Sequence, residues 1–150
     1  MAIEVVNKQR LVTVDRSRVC DLAARTLDSI GRADSSLTVA FVRDPRIREL
    51  NLRFRGKPHA TDVLSFPAGD NFEADDLGDD YLGDDYLGDI VISADTAARQ
   101  AEEAGHTLER EVSELVIHGV LHLCGYDHET DQGQMNRLEL KLRRKFLSKS

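Results

Sequence analysis

Apolar residues along this 150-residue chain fall into short β-branched runs and longer stretches at helical spacing, and the changes of period mark out the elements. Ile3–Asn7 reads as a strand. Asp15 or Ser17 then offers an N-cap, Val19, Leu22, Ala23, Leu27 and Ile30 recur at helical spacing, and Gly31 stands where a C-cap glycine belongs. Leu37–Val42 is a second strand. Asp44-Pro45, a cap followed by an N1 proline, opens a helix that carries Ile47, Leu50 and Phe54 and ends at Gly56. Asp62–Phe66, stopped by Pro67, and Gly88–Ser93 are the third and fourth strands. An Ala-rich helix, Asp95–Ala104, closes at Gly105.

Thr107 caps the next helix, with Glu109 and Glu111 in the first turn, where the helix dipole favours negative charge. From Leu115 to Cys124 that helix is apolar on nearly every side except at its histidines, which predicts burial. A last helix is expected from about Asp131 to Leu147, with Met135, Leu138, Leu142 and Phe146 on one stripe and basic residues opposite. The order β-α-β-α-β-β-α-α-α predicts an α+β fold. It is expected to be one domain over residues 1–150, a mixed four-stranded sheet packed with about five helices. The first connections are long enough for parallel crossovers, whereas the third and fourth strands are placed to pair antiparallel.

Composition adds few constraints. Hydrophobic residues make up 41 % and charged ones 31 %, as in ordinary soluble domains. No apolar run approaches the ~20 residues of a membrane span, and the N-terminus lacks the apolar core of a signal peptide, so a cytoplasmic location with no membrane partner is expected. The two cysteines, Cys20 and Cys124, suit a reducing compartment. The net charge of −7 argues against nucleic acid only until its distribution is considered. Phe41–Pro58 holds six basic residues against Asp44 and Glu49, and Arg137–Ser150 holds six against Glu139 alone. The acid is concentrated from Asp70 to Asp89, which includes a tandem Gly-Asp-Asp-Tyr-Leu repeat beginning at Gly78 and Gly83. That repeat is too short for a solenoid unit and lacks the spacing of a calcium loop, so it reads as a solvated acidic loop.

The chemistry is concentrated in His118-Gly-Val-Leu-His122-Leu-Cys-Gly125-Tyr-Asp-His128. Residues four apart on a helix lie about 40° apart around its axis, so His118 and His122 can face one ion. Gly125 breaks the helix and lets His128 return as a third ligand. Three neutral imidazoles favour one Zn²⁺ over magnesium or calcium, and they leave a fourth position open, the mark of a catalytic zinc site. Metzincin metalloproteases carry a general-base glutamate directly after the first histidine of this spacing; here that place is Gly119. Glu111 and Glu114 share the face of His118. They read as solvated acids, with a role behind the imidazoles as the alternative. Asp127 is expected to hold the turn or orient an imidazole. Cys124 lies off the ligand face and reads as a core thiol, and His59 and His106 as capping or surface residues.

The stretch HGVLHLCGYDH resembles the histidine motif of the YbeY family, bacterial endoribonucleases that mature ribosomal RNA. Leu50-Asn-Leu-Arg-Phe-Arg55-Gly-Lys57, Thr61-Asp-Val-Leu-Ser-Phe-Pro67 and Leu87-Gly-Asp-Ile-Val-Ile-Ser93 resemble the same family in the same order. Two features depart from the family: Ala60 stands where proline is common, and the Gly-Asp-Asp-Tyr-Leu segment is duplicated. The resemblance implies a single-strand-specific, zinc-dependent endoribonuclease with a metzincin-like zinc helix. Its expected partners are single-stranded RNA, ribosomal RNA and ribosomal subunits, and its expected role is maturation of the 3′ end of small-subunit ribosomal RNA and ribosome quality control. It also implies His118, His122 and His128 as metal ligands and Arg55 as the catalytic arginine.

Zinc would acidify its bound water and polarise a phosphoryl oxygen, and a bidentate Arg55 would hold the scissile phosphate. Arg53 and Lys57 read as solvated cations. Two other functions stand beside this one: a metallopeptidase-like hydrolase, disfavoured by Gly119, and a ribosome assembly factor with a mainly structural zinc, disfavoured by the open fourth position.

Overall fold

The computed structural model describes residues 3–68, 86–127 and 132–147. Over these the chain runs β1 (Ile3–Asn7), α1 (Arg16–Ser29), β2 (Ser36–Val42), α2 (Asp44–Arg55), β3 (Val63–Pro67), β4 (Tyr86–Ser93), α3 (Ala94–Ala104), α4 (Leu108–Leu123) and α5 (Gln134–Leu147). The element order is the one the periodicity predicts. The expected helix start at Asp131 and most of the acidic repeat lie outside the described residues; Tyr86 and Leu87, the end of its second copy, begin β4.

The sheet order is β1-β2-β4-β3, with β1–β2 and β2–β4 parallel and β3–β4 antiparallel. Every residue of β2 is buried, as expected of a parallel strand flanked on both edges and covered on both faces. The pleat sends alternate residues to opposite layers. Leu37, Val39 and Phe41 join Ile90 and Ile92 beneath α1, α4 and α5. Ala40, Val42 and Val91 join Leu64 and Phe66 against Ile47 and Leu50 of α2 on the other face. Among the described residues no helix is long and apolar enough to cross a membrane.

Two local features place the functional elements. Phe54 meets Phe66 edge-to-face at 5.4 Å, which ties the last turn of α2 to the edge strand β3. Gly56 then takes φ 71° and ends α2, and the amide of buried Asn51 donates to the His59 carbonyl at 2.9 Å. The loop carrying Lys57 to Thr61 is thereby held against the helix that delivers Arg55.

Asp44 differs from expectation. The N-cap of α2 is Arg43, without a side-chain cap bond, and Asp44 already lies in the first turn. Its carboxylate accepts instead from Ser93 Oγ at 2.5 Å, Thr96 Oγ1 at 2.8 Å and Arg99 at 2.9 Å, and so clasps the start of α3. Burial pushes this carboxyl up, but the three donors and the charge of Arg99 outweigh it and hold its pKa below the ordinary value. A depressed folded pKa contributes stability that is complete above the unfolded value, about 3.9, and is lost as pH falls through the lower folded one. Asp44→Ala is therefore expected to cost about 2 kcal/mol at neutral pH, with the gap to the parent narrowing in acid. Urea melts at about pH 7 and about pH 3 check this; an equal gap at both would remove the charge argument.

Candidate active site

Helix α4 carries the two histidines because its remaining surface is needed for the core: Leu115, Val116, Ile117, Val120, Leu121 and Leu123 are all buried. His118 and His122 are one turn apart, with ring centroids at 4.6 Å and planes at 69°. Behind His118 stands Glu139 of α5, only 4 % exposed, with its oxygens 3.1 and 3.2 Å from Nδ1. A carboxylate only accepts, so Nδ1 is the donor and, in the neutral ring, Nε2 carries the lone pair for an ion. Burial pushes the Glu139 carboxyl up, yet the hydrogen bond from His118 and the ion pair with Arg143 overcome this and keep it below the usual range.

Sequence reasoning offers Asp127, and Glu111 and Glu114 only as an alternative to solvated acids, for such a partner; it does not find Glu139. A signal was available: Met135, Glu139 and Leu142 lie on one helical stripe, so the single acid of the basic C-terminal segment occupies a core-facing position.

The chain turns sharply after α4. Gly125 has φ 97°, its N–H bonds the His122 carbonyl at 3.0 Å, and the N–H of Tyr126 bonds the Leu121 carbonyl at 3.1 Å. This paired closure is the Schellman arrangement, which reverses the chain at a helix end. Asp127 consequently lines the same cleft as the histidines. His128, the next residue, lies outside the described residues.

That cleft has a volume of about 490 Å³ and is lined by Arg55, Thr61, Asp62, Ser65, His118, His122 and Asp127, with Val63 and Pro67. Alternation along β3 explains one side of the wall: Leu64 and Phe66 enter the α2 core, leaving Val63, Ser65 and Pro67 on the cleft side. Ser65 Oγ donates to the Gly119 carbonyl at 3.3 Å and joins the strand to the histidine helix. Asp62 receives the Val63 N–H at 2.7 Å and the Thr61 hydroxyl at 3.3 Å. Arg55, exposed at the end of α2, brings a guanidinium to the cleft that holds both imidazoles. An anion and a cation can thus be held side by side. A family model described as Endoribonuclease YbeY matches residues 4–147, which spans these cleft residues and their supporting elements.

The chain belongs to the YbeY family.

Relatives named Endoribonuclease YbeY agree over most of their length. The one from Aquifex aeolicus is 43 % identical over 126 residues, covering 83 % of this chain and 77 % of its own. The one from Geobacter sulfurreducens is 40 % identical over 147 residues, covering 97 % and 94 %. The solution structure of TM1509 from Thermotoga maritima superposes with a TM-score of 0.59 at 29 % identity, covering 95 % of this chain and 87 % of that one.

Several side chains of this YbeY-family domain are placed differently from their sequence reading. Glu111 is buried and bonds His106 at 2.6 Å, so neither is a solvated surface group. Together with Glu114 they form a group whose ligand atoms lie within 4.8 Å of one another, near enough to hold a metal ion. Glu114 is, however, taken up by Arg110 at 2.8 Å and Arg143 at 3.4 Å. The amide of Gln100, with its nitrogen turned toward them, donates to Glu111 at 2.8 Å and Asp62 at 3.2 Å, linking this group to the cleft wall. His59 is exposed, as expected. Arg53 lies over the Phe54 ring at 5.3 Å, so it is more than a solvated cation. Cys20 and Cys124 are both free, and burial pushes the Cys124 thiol up, which suits a packed thiol better than a ligand.

Proposed function

We propose that this domain, residues 1–150, is a zinc-dependent endoribonuclease that cuts single-stranded RNA. In this reading His118, His122 and His128 hold the ion on a metzincin-like helix, and Arg55 is the catalytic residue on the scissile phosphate. The 3′ region of small-subunit ribosomal RNA is the substrate, ribosomal subunits are the partner, and the cytoplasm is the place of action. The observation that carries the proposal is the shared cleft, where a guanidinium and two convergent imidazoles face one volume. The relatives' name, endoribonuclease, supplies the bond class.

The donor set fits a first-row divalent ion, because neutral imidazoles suit zinc and the Glu139 contact makes Nε2 of His118 a donor nitrogen. Bound there, zinc supplies Lewis-acid chemistry toward a phosphodiester at neutral pH. Arg55 binds non-bridging phosphate oxygens through two parallel N–H groups and stabilises the charge that builds on them. Asp62 and Asp127 line the cleft with carboxylates, and either would serve as the base toward the attacking group.

Single-stranded RNA and a casein-type peptide, each incubated with purified protein with and without chelator, test this. RNA is expected to be cut and protected by chelation, with the peptide intact. Arg55→Ala is expected to lower kcat on the order of 100- to 1,000-fold, the usual effect of removing one donor to a developing oxyanion, with thermal stability unchanged because the side chain is exposed. Degraded peptide beside intact RNA would overturn the reading. Co-sedimentation with ribosomal subunits without any cleavage would replace it with the assembly-factor function.

A further inference from the structure

We propose that Glu139 is the positioning residue of the metal site, holding the His118 ring by its Nδ1 proton so that Nε2 faces the cleft as donor. This rests on the reading of His118 as a metal ligand and adds a residue from a different helix, 21 positions further along the chain.

The first ground is cost. Glu139 is 4 % exposed on a stripe with Met135 at 0 % and Leu142 at 2 %, where an apolar side chain would pack without any loss of hydration. An ion pair with Arg143 alone does not account for that position, since an i,i+4 pair on one helix forms equally well on the solvent side. What the inward position adds is contact with α4, where the carboxylate meets the His118 ring, at 3.1 and 3.2 Å.

The second ground is rigidity. Arg143 Nη2 donates to Glu139 at 2.8 Å while its Nη1 lies 3.4 Å from Glu114, and Glu114 is held in turn by Arg110 at 2.8 Å. Glu139 is thus gripped from its own helix and, through Arg143 and Glu114, from α4. A carboxylate so held fixes both the tautomer and the rotation of the imidazole it accepts from.

The third ground is chemical. A neutral imidazole has one N–H and two tautomers, and only the one protonated at Nδ1 offers Nε2 to a metal. Removing the other tautomer, and raising the basicity of the donor nitrogen, is what outer carboxylates do in zinc sites.

Zinc affinity, measured by competition with a chromophoric chelator, separates this role from packing. Glu139→Ala is expected to weaken zinc binding by about 10- to 100-fold. Glu139→Gln is expected to recover part of the loss, because its carbonyl still accepts from Nδ1. Leu142→Ala, a neighbouring core truncation, is expected to lower Tm and leave zinc affinity as in the parent. A second measurement needs no variant: nitrogen-15 histidine NMR of the zinc-loaded parent is expected to show His118 coordinated through Nε2 with a downfield, hydrogen-bonded proton on Nδ1.

Parent-like zinc affinity in folded Glu139→Ala, or coordination of His118 through Nδ1, overturns the proposal. The underlying reading fails separately. If His118→Ala keeps the parent's zinc affinity, His118 is no ligand; if zinc binds as described but RNA stays intact, only the nuclease function falls.

Discussion

Zinc binding and RNA cleavage are expected to disappear together in His118→Ala, with cleavage falling to the level of the chelator-treated parent. Removing an outer partner of a metal ligand costs about 10- to 100-fold in affinity, and removing the ligand itself costs more. The same loss is expected for His122→Ala, whose ring lies 4.6 Å from that of His118. The two variants are expected to differ in stability. His118→Ala leaves the buried Glu139 carboxylate with Arg143 but without its ring donor, a loss of about 1–3 kcal/mol to the metal-free protein. Metal content of the purified variants, a gel assay on single-stranded RNA and thermal melts of the apo proteins together check this. Stoichiometric zinc retained in His118→Ala would remove the ion from this cleft and leave the grouping of His106, Glu111 and Glu114 as the next place to look.

The second large effect concerns Gly119. Gly119→Glu rebuilds the protease pattern in which a glutamate follows the first histidine, yet it is expected to yield unfolded protein and no peptidase. A Cβ at this position would stand 2.7 Å from Ile90 Cγ2, 3.1 Å from its Cδ1 and 3.2 Å from its Cγ1. Ile90 is β-branched, fully buried and held in the β4 ladder between β2 and β3, so it has nowhere to move.

Opposing terms decide the smaller change, Gly119→Ala. Alanine gains about 1 kcal/mol of helix propensity over glycine. Overpacking against an immobile neighbour costs about 1–3 kcal/mol, so a net loss is expected. Glutamate adds an unpaired carboxylate in the core to the same clash, which approaches the whole stability of a typical domain, about 5–15 kcal/mol. Combining Gly119→Ala with Ile90→Ala is expected to cost less than the sum of the two single changes. A Gly119→Ala protein that melts above the parent would show that α4 does not rest on Ile90 as described.

Gly119 therefore carries two meanings. In the sequence it marks a missing base; in the fold it is where α4 lies directly on β4. Packing against Ile90 disfavours glutamate here independently of the chemistry, and the peptidase reading weakens for a structural reason as well as a catalytic one.

Most of the fold was legible because its signals are local. Runs such as Leu37–Val42 and Ile90-Val91-Ile92 mark buried strands, and their connection lengths already implied the mixture of parallel and antiparallel pairing. The pairing of His118 with His122 follows from helical geometry alone, and Gly125 marks the turn after them because glycine adopts positive φ without strain. The family's segments around Arg55, Asp62 and Asp89 were also readable as strings of residues.

Local pattern thus carried the inventory of elements, the pairing of His118 with His122 and the family. Tertiary structure alone decided the partners of the charged groups. Asp44 serves α3 rather than its own helix, and Glu139 reaches His118 from α5. The physical reason is one of range. Period and capping depend on neighbours within a turn or a strand, whereas the partner of a buried charge depends on which faces of distant helices meet. That choice is made by packing the apolar stripes, and the polar atoms on those stripes must then bond whatever lies opposite.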